Sequence, residues 1–125
     1  ALNTRLMLDA VERFVRKARP GGFPHLTIVG GGARSDLWCQ ILADVTGRPI
    51  RQTAEPVLGN LRGAALAASV ALGHLRWEDV PGAVEVAATY EPDLGNRAVY
   101  DERYQTLVEA YGSNKRRFAR RAGHP

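Results

Sequence analysis

Three consecutive glycines, Gly30, Gly31 and Gly32, stand between a short apolar run and the start of an amphipathic segment. Residues without a β-carbon let the backbone turn tightly after a strand, and they let a ligand approach bare peptide groups. A helix that starts just after such a turn directs free N–H groups and partial positive charge at the same place. This glycine turn therefore indicates a cradle for a phosphate or a nucleotide, and a tight strand-to-helix turn without any ligand is the alternative.

Two known phosphate-binding motifs fit the glycine turn poorly. A Walker loop needs a lysine followed by Ser or Thr, and the two lysines of the chain stand in other settings. A dinucleotide fingerprint needs Gly-x-Gly-x-x-Gly, of which Gly30 and Gly32 supply the first half, while Ser35 replaces the third glycine. Glu55 lies near the distance expected of the acid that binds a ribose, so a dinucleotide-binding module stays open as an alternative.

The other side chains that could do chemistry are scattered along the sequence. The three histidines are not at the spacing of metal ligands, so no metal site is predicted. Cys39 lies in a predicted helix, where we expect a buried and inert thiol. Four acids are expected on the surface, and no catalytic residue is assigned to this chain. The histidines are His25, His74 and His124, and the acids are Asp44, Glu55, Asp79 and Glu85.

Alternating helices and short strands must position the glycine turn. A helix is predicted over residues 3–19, with Asn3 or Thr4 as its N-cap, and a buried strand over residues 25–29. The second helix starts at Ser35 or Asp36 and ends before Gly47. The next elements are a strand at 49–52 and a helix of small residues at 59–72, capped by Gly73. A helical turn at 77–79 and an extended stretch at 89–92 follow. The last helix starts at Asp93 or Asn96 and could continue past Gly112 into the basic tail.

Helical spacing also predicts which side chains are buried. The first helix carries an apolar stripe that should face the core. The two tryptophans are expected in the core or at a contact between lobes, and three tyrosines of the last helix are expected to pack it on the sheet. The stripe is Met7, Ala10, Val11, Phe14, Val15 and Ala18; the tryptophans are Trp38 and Trp77; the tyrosines are Tyr100, Tyr104 and Tyr111.

Length and charge limit the function classes. With 125 residues the chain amounts to one domain, and its apolar runs are far shorter than the roughly 20 residues of a membrane helix, so no membrane partner is expected. A single cysteine agrees with a reducing compartment, and the expected location is cytoplasmic. Of the seventeen basic residues, five lie within positions 115–121, so the body is nearly neutral and nucleic-acid binding is not favoured. That tail is expected to be a helix end or a solvated segment.

The glycine turn and the segments around it resemble the C-terminal domain of FGGY carbohydrate kinases, and xylulokinases in particular. The resemblance covers roughly residues 3–121. Its motifs are Gly30-Gly31-Gly32-Ala33-x-Ser35, Trp38-x-Gln40, Ala43-Asp44, Gly47-x-Pro49, Gly63-Ala64-Ala65, the opening Asn3-Thr4-Arg5, and the closing Tyr90-x-Pro92 and Tyr100-Asp101-x-x-Tyr104.

The resemblance implies an α/β fold that is the later part of an actin-like, ribonuclease H-like ATPase lobe, with helices packed on a small, incomplete sheet. Residues 1–125 would be a partial C-terminal nucleotide-binding domain, without the N-terminal sugar-binding domain. It also implies ATP, with Mg²⁺ arriving on the nucleotide. The residues that would hold the nucleotide are Gly30, Gly31, Gly32 and Ala33 through their backbone, and Asp36, whose carboxylate would cap the helix or meet ribose or adenine.

In such kinases the γ-phosphoryl of ATP is transferred to a sugar hydroxyl, here expected to be that of xylulose. The family keeps its catalytic aspartate and its sugar contacts in the other lobe, so this chain alone is expected to be inactive. A dinucleotide-binding module, and a non-enzymatic domain that associates through a sheet edge or the tail, are the alternatives. Assembly into a homo-oligomer stays open.

Overall fold

The computed structural model describes residues 1–121, apart from the side chains at positions 116 and 119–121. Four α-helices and three strands alternate along this part of the chain, joined by short 3-10 turns. The elements are α1 (Leu2–Val15), β1 (Leu26–Ile28), α2 (Asp36–Thr46), β2 (Ile50–Thr53), α3 (Gly59–Ala71), β3 (Val86–Tyr90) and α4 (Arg97–Arg121), with 3-10 turns at Gly31–Arg34, Pro56–Leu58, Trp77–Ala83 and Leu94–Asn96.

The three strands form one small mixed sheet in the order β1-β2-β3. β1 and β2 are parallel, with Leu26 opposite Ile50, because helix α2 returns the chain between them. β3 is antiparallel to β2, and the register shifts between Gln52 and Thr53. Helices on a small sheet are the α/β arrangement that the sequence predicts.

The core lies between α2 and β2. It consists of Cys39, Leu42 and Ala43 from one face of α2 and Ile50 from β2, and all four are buried. Leu26 and Ile28 of β1 and Tyr90 of β3 pack against this cluster. The core therefore includes residues of the helix that follows the glycine turn and of the strand next to β1.

Helix α1 differs from the prediction in both its length and its orientation. It begins at Leu2 rather than at Asn3 or Thr4, no side chain caps it, and it ends at Val15, since the 3-10-like turns after it break the helical pattern. The predicted apolar stripe faces outward, with Phe14 91% exposed. The opposite, polar face is turned inward and forms three contacts with the rest of the fold: Arg5 with Asp101 at 2.6 Å, Glu12 with Arg48 at 2.6 Å, and Asp9 with the Tyr104 hydroxyl.

The aromatic side chains also lie elsewhere than expected. Trp38 and Trp77 are exposed rather than in the core. Tyr104 is buried, but its helix α4 packs on α1 and α2 instead of on the sheet, and Tyr111 is more than half exposed. A tyrosine whose hydroxyl meets a carboxylate can bury its ring between helices, which the spacing of aromatic residues does not reveal.

The remaining boundaries are close to the prediction. β3 begins at Val86, three residues before the predicted stretch, because it pairs along the whole of β2. α3 ends at Ala71, and Gly73 takes a left-handed conformation two residues later. α4 begins at Arg97 and continues past Gly112, as the prediction allowed. Within residues 1–121, no helix combines the length and the apolar composition needed to cross a membrane.

Candidate functional site

The glycine turn leaves the end of β1 in a conformation that needs glycine. Gly30 has a φ of +91°, a region that residues with a β-carbon rarely adopt. Its N–H donates a hydrogen bond of 2.6 Å to the carbonyl of Pro56, which ties the turn to the segment after β2. The next four residues, Gly31–Arg34, form one turn of 3-10 helix. The sharp turn that the sequence predicts is therefore present and anchored at its start.

The outer side of the glycine turn is open. No atom lies within 4 Å of the place where a β-carbon would stand on Gly30 or on Gly31. A β-carbon on Gly32 would meet only the Trp38 ring, at an ordinary contact of 3.5 Å. A ligand could therefore approach the backbone of this turn without displacing any side chain.

Ala33 differs from the three glycines in its surroundings. It is completely buried, and its carbonyl accepts hydrogen bonds from the Gln52 side-chain amide at 2.6 Å and from the Cys39 thiol at 3.7 Å. This carbonyl holds the end of the turn against β2 and α2. Burial raises the pKa of the Cys39 thiol, in agreement with the inert thiol that the sequence predicts.

Helix α2 begins directly after the turn. The Ser35 hydroxyl accepts a hydrogen bond of 3.2 Å from the backbone N–H of Trp38, so Ser35 is the N-cap and Asp36 is the first helical residue. A carboxylate at this position is stabilised by the partial positive charge at the N-terminal end of the helix. Ser35 therefore caps the helix, and the Asp36 carboxylate forms other contacts.

The Asp36 carboxylate is held by two side chains from the sheet. Its Oδ1 accepts a hydrogen bond of 2.7 Å from the Tyr90 hydroxyl and one of 3.2 Å from the Gln52 amide. Both bonds lower the pKa of Asp36, and the bond from Tyr90 has the larger effect. The bond between Tyr90 and Asp36 also raises the pKa of Tyr90 to about 12. At neutral pH the pair is therefore a carboxylate and a protonated phenol.

Gln52 and Tyr90 were not identified as site residues from the sequence. Gln52 connects both parts of the site, because its amide donates to the Ala33 carbonyl and to Asp36. Gln52 lies in the strand predicted at 49–52, and Tyr90 belongs to one of the motifs that carry the resemblance.

A cleft of about 450 Å³ lies beside the glycine turn, at the end of β2. Arg34 and Glu55 are its charged residues, and Gln52 lines it too. Glu55 has a φ of +43°, the one positive φ outside glycine among residues 1–121. The cleft is not lined by any of the five predicted nucleotide contacts, which are Gly30, Gly31, Gly32, Ala33 and Asp36. These five residues lie at the glycine turn and the start of α2, next to the cleft.

Metal-binding residues do not cluster in the part of the chain that the structure describes. Among residues 1–121, no group of three or more His, Cys, Asp or Glu side chains is placed to hold a metal ion. His25 and His74 lie within this part, and His124 lies outside the described residues.

Comparison with known proteins identifies relatives among the sugar kinases. The C-terminal domain of the FGGY family of carbohydrate kinases matches residues 1–72, which is more than half of the chain. The autoinducer-2 kinase of Yersinia enterocolitica is 39% identical over 79 residues, and the xylulose kinase of Escherichia coli is 32% identical over 88 residues. These stretches cover 60% and 69% of this chain, which spans only 14% and 18% of the two relatives.

Solved structures show the same relationship. The xylulose kinase of Rhodospirillum rubrum superimposes with a TM-score of 0.66 at 31% identity, covering 94% of this chain and 23% of that protein. The ligand-bound xylulose kinase of Lactobacillus acidophilus superimposes with a TM-score of 0.62 at 23% identity, covering 72% of this chain and 18% of that protein. At this identity the likeness supports the fold alone. The fold is that of the actin-like ATPases to which these kinases belong. The chain is therefore a member of the FGGY family of carbohydrate kinases, and its first 72 residues match the family's C-terminal domain.

Proposed function

We propose that residues 1–125 form part of the ATP-binding lobe of a carbohydrate kinase that transfers the γ-phosphoryl of ATP to a sugar hydroxyl. The observation that carries the proposal is the open backbone of the glycine turn in front of helix α2. Membership of a family of carbohydrate kinases supports the proposal. The position of the turn supports it too, because a helix N-terminus suits a phosphorylated ligand. We propose xylulose as the sugar, although the relatives include both xylulose kinases and autoinducer-2 kinases.

The backbone of Gly30, Gly31 and Gly32 is proposed to lie against the phosphates and the adenosine, with the N–H groups of Gly31 and Gly32 as donors, because the N–H of Gly30 is bonded to the Pro56 carbonyl. The backbone of Ala33 is proposed to line the same turn, with its carbonyl already bonded to Gln52. A carboxylate next to phosphate would be repelled, so Asp36 is proposed to accept a hydrogen bond from ribose or adenine. Both of its described hydrogen bonds end on Oδ1, which leaves Oδ2 as the acceptor for a ligand.

ATP, when bound, supplies the phosphoryl group and carries Mg²⁺, and phosphoryl transfer depends mainly on positioning and charge neutralisation. The catalytic aspartate and the sugar contacts are proposed to lie outside this chain, in an N-terminal sugar-binding domain. We therefore expect no transfer from ATP to xylulose by the 125 residues alone.

The substitution Gly31→Ala tests the nucleotide site. A β-carbon on Gly31 meets no atom within 4 Å, and Gly31 has no positive φ, so the substitution should leave folding intact. The new methyl group would stand where the nucleotide must approach, and we expect the Kd for ADP to rise at least about tenfold, or 1.4 kcal/mol. Calorimetric titration of the full chain with ADP measures this change, and the unfolding midpoint without ADP checks the fold.

Gly82→Ala is the matched control, since a β-carbon there also meets open space and Gly82 lies in the 3-10 turn before β3. ADP should bind to this variant as to the unchanged chain. Equal ADP affinity for the Gly31→Ala variant and the unchanged chain would contradict the proposal. Stronger thermal stabilisation by NAD than by ADP would instead favour a dinucleotide-binding module.

A further inference from the structure

A second cleft, of about 340 Å³, lies at the C-terminal end of α1. It shares no lining residue with the cleft beside the glycine turn. Three stretches of chain form it: the last turns of α1 and the residues just after it, the loop at residues 20–22, and the segment between α2 and β2. We call it the arginine cleft, because its charged residues are Arg13, Arg16, Arg19 and Arg48, with Asp9 and Glu12.

Both carboxylates of the arginine cleft already have partners within the fold. The Tyr104 hydroxyl donates a hydrogen bond to Asp9. Glu12 accepts one of 2.6 Å from the Arg48 guanidinium and one of 3.2 Å from the backbone N–H of Phe23. Their acceptor capacity is thus largely used for holding α1 against its neighbours.

Three of the four arginines are exposed, and the guanidinium of one of them, Arg19, lies over the Phe23 ring at 5.2 Å from its centroid. Among the side chains that the structure describes, Arg13, Arg16 and Arg19 form no ion pair. Arg48 is paired with Glu12 through Nη2, but its Nε is buried without a hydrogen-bond partner. An anion in the cleft would therefore meet the exposed part of the Arg48 side chain, which is 30% of it, and not the buried Nε.

The helix dipole explains only part of this arrangement. Cations near the end of α1 complement its partial negative charge, and Arg13 lies in the last helical turn. Arg48 comes from the segment before β2, and its ion pair with Glu12 brings it to the cluster. The cleft is lined by four arginines, and its volume lies within the range of roughly 300–1,000 Å³ for ligand sites, so it fits a compact anion.

We propose that the arginine cleft binds a small anion that carries two or more negative charges, such as a compound with two phosphate groups or several carboxylates. Guanidinium groups bind such oxygens through paired, charge-assisted hydrogen bonds. In this proposal Arg16 and Arg19 contact the anion from the segment after α1, and Arg48 contacts it from the segment before β2. The site is independent of the nucleotide site.

Titration of the full 125-residue chain with inorganic pyrophosphate at constant ionic strength tests this site. We expect saturable binding with one pyrophosphate per chain. Arg16→Gln should raise the Kd about tenfold, because Arg16 is exposed and without an ion-pair partner, so its loss removes a ligand contact and spares the fold. Lys17→Gln removes the same charge from the neighbouring residue, which does not line the cleft, and should change the Kd less than about twofold.

Arg34→Gln distinguishes the two clefts, since Arg34 lines the one beside the glycine turn. Pyrophosphate binding should be unchanged in this variant. The proposal is overturned by the absence of saturable binding, by equal weakening in the Arg16→Gln and Lys17→Gln variants, or by loss of binding in the Arg34→Gln variant. Because ADP binding is measured separately with Gly31→Ala, failure of either site leaves the other result interpretable.

Discussion

Among single residues, Asp44 shows how a buried charge is kept in place. It is 3% exposed, although the sequence predicts a surface position. Its carboxylate accepts hydrogen bonds from the Gln40 amide at 2.7 Å, the Asp93 backbone N–H at 2.8 Å and the Asn96 amide at 2.8 Å. Burial raises the pKa of Asp44, but these three bonds together outweigh it, and the pKa is below its usual value. Asp44 therefore joins α2 to the 3-10 turn before α4.

Asp44→Asn should lower the free energy of unfolding by about 1–3 kcal/mol, because an amide N–H₂ would face donors that need an acceptor. Urea denaturation at pH 7 measures this loss. The folded pKa of Asp44 lies below the unfolded value of about 3.9, so its contribution is present above that pH and is lost as the pH falls through the folded pKa. The difference from the unchanged chain should therefore shrink below about pH 4.

Asp79→Asn is the control for Asp44, since Asp79 is exposed. Its effect should stay within about 0.5 kcal/mol. An equal loss of stability in both variants would show that Asp44 has no special role.

At the scale of elements, α2 positions the candidate site because both of its ends are fixed. The Ser35 hydroxyl caps the first turn, and Gly47 ends the helix in a left-handed conformation with a φ of +64°. A β-carbon on Gly47 would also collide with the Arg97 side chain. Between these ends the buried face of α2 packs on β2, so the first turn and Asp36 stand at a fixed place beside the glycine turn.

Ser35→Ala should cost about 1 kcal/mol of stability, because the N–H of Trp38 loses its acceptor. Ser35→Asp, which keeps an acceptor oxygen, should recover most of this loss. Thermal or urea unfolding of the variants measures the effect. Ser113→Ala, on the exposed part of α4, provides the comparison and should cost nothing, since alanine favours a helix. A Ser35→Ala variant as stable as the unchanged chain would contradict the capping role.

For the molecule as a whole, the apolar surface left open is the main feature. Phe14 is 91% exposed and Leu72 is 72% exposed. No residue of α1 or α3 is fully buried, and β1 has no strand on its outer side among residues 1–121. Soluble monomers rarely expose apolar faces of this kind, which mark contacts with other parts of a protein or with other chains.

The chain on its own should therefore associate with itself at micromolar concentration. Phe14→Ser should reduce this association and change the free energy of unfolding by no more than about 0.5 kcal/mol, since the ring is exposed. Sedimentation velocity measures the association, and denaturation measures the stability. Leu42→Ser, within the core, should instead unfold the chain. Unchanged sedimentation of the Phe14→Ser variant would show that the α1 face takes no part in association.

Features that depend on neighbouring residues could be predicted from the sequence alone. The glycine turn, a cap at Ser35 or Asp36 and the stop at Gly47 follow from local backbone chemistry; the structure contains the turn and the stop, and it shows that Ser35 is the cap. The motifs around them also identified the family that the comparisons confirm. Sequence separation is short in all of these cases, so residue type and spacing carry the whole signal.

Contacts between side chains that are distant in the sequence became known from the fold. Tyr90 is 54 positions from Asp36, and it holds that carboxylate because β3 pairs with β2. The inward face of α1 could not be read from its apolar stripe, because burial depends on what the rest of the fold presents. Here the fold presents Asp101, Tyr104 and Arg48, and these contact the polar face.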